Sequence, residues 1–219
     1  MSKLKVSGNA SGTGVITLEA PNTNTDRAIT LPDSAGELIN IAPSTSGNVL
    51  TSDGTDWTSA AGGGITEADQ WVLTTNFTGD AVPITTNLAR ATPASFNKLG
   101  TGMTQSSGVF TFPSTGVWEV TFAGYFSSDT ATSRFVRAKI FTTTNNSTYN
   151  EASNGAGHIP NIAGDQDDFS AISTFLFDVT STTTHKVRFH IELTNSSIST
   201  MGDSNSNKTY MTFIRLGDT

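Results

Sequence analysis

The chain contains no cysteine, which excludes a disulfide framework and a thiolate metal site and leaves the redox character of its compartment unmarked. Charge is scarce as well. Only 14% of residues are charged, and 12 Lys and Arg against 19 Asp and Glu give a net charge of −7. Neutralising a phosphate backbone takes clustered cations, so this balance argues against a nucleic-acid partner. Apolar runs are short: none reaches about 18 residues, and the opening MSKLKVSGNASG lacks the apolar core of a secretory signal. The expectation is a soluble chain, made in the cytoplasm and not inserted in a membrane. Helical periodicity is missing too, since no stretch keeps it over ten residues and Glu67 to Trp71 makes one turn at most.

What remains is a chain crowded with Thr, Ser, Asn and Gly, the composition of strands and turns. Its 219 residues fit one large β domain or, as favoured here, one domain plus an extension. Short apolar clusters at Val15–Leu18, Ala28–Leu31 and Glu37–Ile39 predict strands of four or five residues with too few large side chains to close a core in one copy. From Val49 to Thr58 a hairpin is expected around Asp53-Gly54, because Asp-Gly tolerates the positive φ of a tight turn. Ala61 to Gly64 then reads as a flexible joint.

From Ile65 onward the strands lengthen. Trp118, Val120, Phe122 and Phe126 share one face of a strand. In Lys186–Leu193, Val187, Phe189, Ile191 and Leu193 face one way and Lys186, Arg188, His190 and Glu192 the other, which predicts one wet side. Phe169–Val179 is instead apolar on both sides, with Phe175, Phe177 and Val179 alternating with Ile172 and Leu176. In Tyr210–Leu216, Met211 and Phe213 alternate with Ile214 and Leu216. A strand apolar on both faces in a sandwich needs a cover beyond the opposite sheet, most simply another copy of the chain. The prediction for residues 65–219 is an all-β, antiparallel jelly-roll sandwich of eight to ten strands.

The stretch FNKLGTGMTQSSGVFTFPSTGVWEVTFAGYFSS resembles the central signature of the trimeric jelly-roll heads shared by the collagen-stalked complement component and the tumour-necrosis-factor superfamily. It carries an aromatic at Phe96, the step Gly108-Val109-Phe110, then Pro113, Gly116 and Trp118, and the strand Val120-Thr121-Phe122. The end, KTYMTFIRLGD, resembles the final strand of those heads, and the likeness covers roughly residues 70 to 219. Gly and Pro at these spacings also have a generic turn reading. In the front half, SGTGVITLEAPNTNTDRAITLPDSAGELI and GNVLTSDGTDWTS resemble recurrent segments of bacteriophage tail-fibre and other appendage proteins. No Gly-x-y run is present, so any shaft is β-rich rather than collagenous.

Together the resemblances imply a homotrimeric virion protein, made in the host cytoplasm and placed on the tail or capsid exterior. Residues 1–62 form an attachment or stalk segment that docks on other virion proteins, and residues 65–219 form the head. The residues assigned to the trimer interface are Trp57, Ile172, Leu176, Phe213, Ile214 and Leu216. Three hairpins around one axis bury indole surface that one chain leaves wet; the other reading folds Trp57 back onto its own head. Polar loops at 142–154, 155–168 and 196–207 form the outward surface, suited to a host-surface glycan or envelope component.

No constellation for catalysis emerges. His158, His185 and His190 form no metal-binding pair and read as solvated or loop side chains. No Gly-x-Ser-x-Gly elbow is present, and Gly62-Gly63-Gly64 lacks the Lys-Ser/Thr of a phosphate cradle. Asp165, Asp167, Asp168 and Asp203 are weak calcium candidates, since calcium favours several oxygen ligands; a solvated acidic loop is the plainer reading. No other cofactor is expected. The triplets at Asn9, Asn76, Asn145, Asn146, Asn195 and Asn207 match the glycan-acceptor pattern but arise readily in so Asn- and Ser-rich a chain. Two placements compete, a tail fibre whose head binds the host and a capsid decoration or head fibre held by its N-terminal segment; a glycan depolymerase would need carboxylates paired across a groove, and the sequence shows no long repetitive β-helix to carry them. A signalling ligand is disfavoured by the missing secretion signal.

Overall fold

The computed structural model describes residues 11–14, 24, 48–52, 57–61, 63–91, 98–162 and 165–219. The clusters at 15–18, 28–31 and 37–39 and the turn at 53–56 lie outside these residues. The chain divides into two units, Met1–Gly62 and Gly63–Thr219.

In the first unit, β1 (Asn48–Ser52) and β2 (Trp57–Ala61) pair antiparallel, with Asn48 opposite Ala61 and Ser52 opposite Trp57. Successive side chains alternate across a ribbon, so Leu50 and Trp57 are diagonal neighbours on one face. Both are about half exposed, as is Val49. A two-stranded ribbon with bare apolar side chains is marginal in water by itself.

Among the described residues of the second unit there is no helix. Its strands are β3 (Ala68–Leu73), β4 (Phe77–Thr78), β5 (Leu88–Arg90), β6 (Thr104–Ser106), β7 (Val109–Thr111), β8 (Gly116–Ser128), β9 (Ser133–Thr143), β10 (Asn150–Ile159), β11 (Asp167–Val179), β12 (Lys186–Leu193), β13 (Ser199–Thr200) and β14 (Tyr210–Gly217). One sheet has the order β10-β9-β12-β7-β6; the other runs β4-β13-β8-β14-β3-β5, with β11 on the free side of β8. All pairings are antiparallel. The count exceeds the eight to ten expected because β4 and β13 have two residues each and β5, β6 and β7 three, too short for alternation to mark them.

The core is aromatic and drawn from both sheets. Phe110 of β7 and Phe189 of β12 meet Phe213 of β14 and Phe122 of β8, with ring centroids 5.0 to 5.9 Å apart across the sheets. Phe213 is therefore not an interface residue: the register that turns Met211 and Phe213 inward buries both completely within one protomer. At the entry to the sandwich, buried Asp69 accepts hydrogen bonds from Arg90 (Nε and Nη2, both 2.9 Å), Trp71 Nε1 (3.1 Å) and the amides of Gln70 and Met103. From Ala68 on, the segment 67–71 is thus the start of β3, tied to β5 and to the loop before β6, rather than a helical turn.

The two sheets also close at one edge, where β10 meets β11. A Cβ at Gly155 would overlap the backbone of Ile172, and one at Gly157 would overlap the ring of Phe169. These glycines permit an approach that side chains would block.

Candidate interaction surfaces

The outward face of the larger sheet is ordered in rows by its register. One row runs Tyr210, Ala123, Ile172; the next Gln70, Thr212, Thr121, Thr174; the third Ala68, Ile214, Glu119, Leu176. In the middle row Gln70 Nε2 donates to Thr212 Oγ1 at 3.2 Å, and the hydroxyls of Thr121 and Thr174 lie 3.1 Å apart. A polar stripe with its own cross-strand bonds separates two rows that carry large aliphatic side chains. Ile172 and Leu176 are each 57% exposed, and Leu216 is 52% exposed. Of the residues assigned to an interface, Ile172, Leu176, Ile214 and Leu216 project from this sheet, Ile214 half-buried. Trp57 belongs to the first unit, and Phe213 is in the core. The second face of β11 is less apolar than expected, because Asp168, Ser170, Thr174 and Asp178 share it with Ile172 and Leu176.

The acidic candidates do not come together. Asp167 and Asp168 are adjacent on β11 and point to opposite faces. Asp167 accepts from the amide of Ile162 at 2.9 Å, and Asp203 accepts from the amide of Asn205 at 2.8 Å and lies 3.6 Å from Lys208. Among the described residues no three His, Asp or Glu side chains converge as a cation site would require, so these carboxylates do not build a calcium site within one protomer.

Asp168 instead organises the rim of a cleft. Its carboxylate is held below the usual range, chiefly by the Ser127 hydroxyl and also by Tyr125 and Gln166. The Tyr125 hydroxyl, donating to it at 2.7 Å, is raised by that same bond. The adjoining cleft, of about 330 Å³, is formed where four segments meet: the turn after β3 (Asn76), the end of β8 (Ser128, Asp129), the residue before β11 (Gln166) and β13 with its successor (Ser199, Met201). It lies at the end of β8 opposite the one where the chain enters the sandwich, since Ala68 pairs with Ile214 and Ile214 with Glu119, near the beginning of β8. Thirteen residues of strand separate the two ends, roughly 40 Å at about 3.3 Å each.

The outward face of β9 and β12 is not the wet surface expected from the sequence. Lys139, Lys186 and His190 are buried, and so is His185; of the three histidines only His158 is exposed. Long side chains lie flat and cover one another: Lys139 pairs with Glu192 at 2.7 Å and Glu151 at 3.0 Å, Arg188 lies over Tyr149, and His190 stacks on Phe141 with centroids 3.9 Å apart. Neither ring nitrogen of His190 has a hydrogen-bond partner. Burial, with the positive charges of Arg188 and Lys139, pushes its pKa down to about 4 against the opposing pull of Glu192 and Glu151. Simple alternation missed this because Lys and Arg cover apolar surface with their stems.

No family model matches the chain, and no curated protein matches its sequence. Solved structures do. Eiger TNF from S. frugiperda superposes with a TM-score of 0.52 at 14% identity, covering 71% of this chain and 96% of that one. The sandwich has the tumour-necrosis-factor-like jelly-roll fold. Murine APRIL at pH 5.0 is also similar, with a TM-score of 0.47 at 12% identity over 68% of this chain and 98% of that one.

Proposed function

We propose that the protein is a homotrimeric structural protein of a bacteriophage virion, a tail fibre or appendage whose jelly-roll head binds the host surface. The observation that carries self-association is the pair Ile172 and Leu176, each 57% exposed on a regular strand of an otherwise well-packed sheet. Large aliphatic side chains held in register on a sheet face are what a sister subunit covers. The number three follows from the resemblance of residues 70–219 to trimeric heads. The virion placement follows from the resemblance of the front half to phage appendage segments.

The mechanism is binding without turnover. Residues 1–62 attach to the particle, the sandwich self-associates through the face of β11, β8 and β14, and the loops at the far end of β8 meet the host. Three copies presented together convert weak contacts into avidity. Purified protein tests this by competition. Added in excess to host cells, it is expected to block adsorption of the phage; protein that decorates capsids without slowing adsorption would replace the tail-fibre reading with the capsid-decoration one.

A further inference from the structure

We propose that the cleft at the distal end of β8 is a binding site for a neutral saccharide, one or two sugar rings in size. This deepens the host-binding reading and rests on it for the source of the ligand, while the chemistry comes from the cleft alone. Its volume of about 330 Å³ is at the small end of the ligand-pocket range, roughly 300–1,000 Å³. Among the described residues its lining is almost wholly hydroxyl, amide and carboxylate, with Met201 the one large apolar side chain. An apolar ligand therefore finds no surface to bury. Among the described residues no Lys, Arg or His lines it, and Asp129 does, so phosphorylated or acidic sugars meet an unbalanced negative charge. A divalent cation lacks ligands, because no three acids converge among the described residues.

The groups left over include both donors and acceptors, which is what a ring of hydroxyls matches, each hydroxyl being one donor and an acceptor. The amide of Gly202 can only donate, so its 2.8 Å bond to Asn76 engages the side-chain oxygen and leaves Asn76 Nδ2 with two donors. Gln166 spends Nε2 on Ser127 and Asp168, leaving Oε1 as acceptor. Ser128 Oγ accepts from the amide of Ala131 at 2.8 Å and keeps its proton to donate. The carboxylate of Asp129 and the hydroxyl of Ser199 have no partner among the described residues. Asn76 and Asp129 thus bring a free donor and a free acceptor to the cleft from different segments. The cleft has no aromatic platform among its lining residues, so each site binds weakly, with a Kd of about 1 mM or above.

The test is saturation-transfer NMR on the full-length protein with D-glucose, D-galactose, D-mannose and N-acetyl-D-glucosamine as neutral probes, and N-acetylneuraminic acid and glucose 6-phosphate as acidic ones. At least one neutral sugar is expected to saturate the protein, with both acidic probes at least about five-fold weaker. Asp129→Ala, which removes an exposed side chain with no internal partner, is expected to weaken binding at least about five-fold, and Ser199→Tyr, which fills the cleft, to abolish it. Absence of binding by every neutral probe, equal binding of the acidic ones, or binding that survives both variants overturns the inference. Adsorption of the protein to host cells is measured in parallel. Adsorption without sugar binding removes the cleft and leaves the host-binding reading; sugar binding without adsorption does the reverse.

Discussion

Thr121 and Thr174 face each other across β8 and β11 with their hydroxyls 3.1 Å apart, on the exposed side of the larger sheet. Leu176 and Ile172 lie one place above and below Thr174 on the same face. The polar row between Ile172 and Leu176 has its Thr121 and Thr174 hydroxyls bonded to each other, while the row of Leu176 and Ile214 also carries Glu119. A sister subunit that covers Ile172 and Leu176 must therefore leave Glu119 in water or bring a cation to it.

Replacing Ile172 and Leu176 together by Asp removes that cover. Each aliphatic side chain contributes about 1.5–3 kcal/mol when fully buried, so the double variant is expected to dissociate at protein concentrations at least about 100-fold higher than the native chain. Sedimentation equilibrium over a dilution series measures this, and circular dichroism is expected to show an unchanged sandwich because both side chains lie outside the core.

Trp57 and Leu50 give a parallel expectation for the first unit. If three ribbons bury these side chains against one another, Trp57→Ala lowers resistance to dissociation in detergent while a chain of residues 65–219 still folds and trimerises. An unchanged Trp57→Ala protein would place the indole elsewhere.

Asp69→Ala is expected to destabilise the sandwich by about 3 kcal/mol or more, because it leaves the Arg90 guanidinium, Trp71 Nε1 and the Met103 amide without their shared acceptor. Urea unfolding measures the loss. With Asp69 in place, Arg90→Lys is expected to lose part of the same stability, since a lysine cannot make the two-pronged contact.

At Gly155 the obstacle is backbone rather than side chain, so Gly155→Val is expected to be among the most damaging single changes, separating β10 from β11. Gly157→Ala meets the Phe169 ring and is expected to be rescued in part by Phe169→Leu, which a thermal melt of the double variant checks.

How much of this was legible in the sequence depends on the residue. The inward faces of β8 and β12 follow from strict alternation of Trp118, Val120, Phe122 and of Val187, Phe189, Ile191, and the structure buries all six. The jelly-roll class follows from those strands and their turns. The inward position of Phe213 is not legible, because β14 is apolar on both faces and alternation separates two faces without saying which is inside. The buried state of His190 was hidden for a different reason: the cover is made by Phe141 and the charged neighbours on β9 and β10, distant in sequence. Asp69 looked like part of a helical turn because its partners, Arg90 and Met103, lie 21 and 34 residues away. The cleft drew no signal of its own, since its lining comes from four separated segments rich in common polar residues.

The buried imidazole of His190 sets a pH dependence. Its folded pKa of about 4 lies below the ordinary value of 6.5, so between these limits the unfolded chain binds the proton more readily. Stability is therefore full above about pH 6.5 and is lost as pH falls toward 4, by on the order of 3 kcal/mol. His190→Phe, which keeps the stack on Phe141, is expected to flatten urea midpoints across that window; an unaltered slope would contradict the assignment.

Sedimentation equilibrium of the full-length protein at micromolar concentration tests the central claim most directly. The expected mass is about 69 kDa, three times the 23.0 kDa of one chain. A mass of 23.0 kDa for the folded protein, with Ile172 and Leu176 still in water, would contradict it.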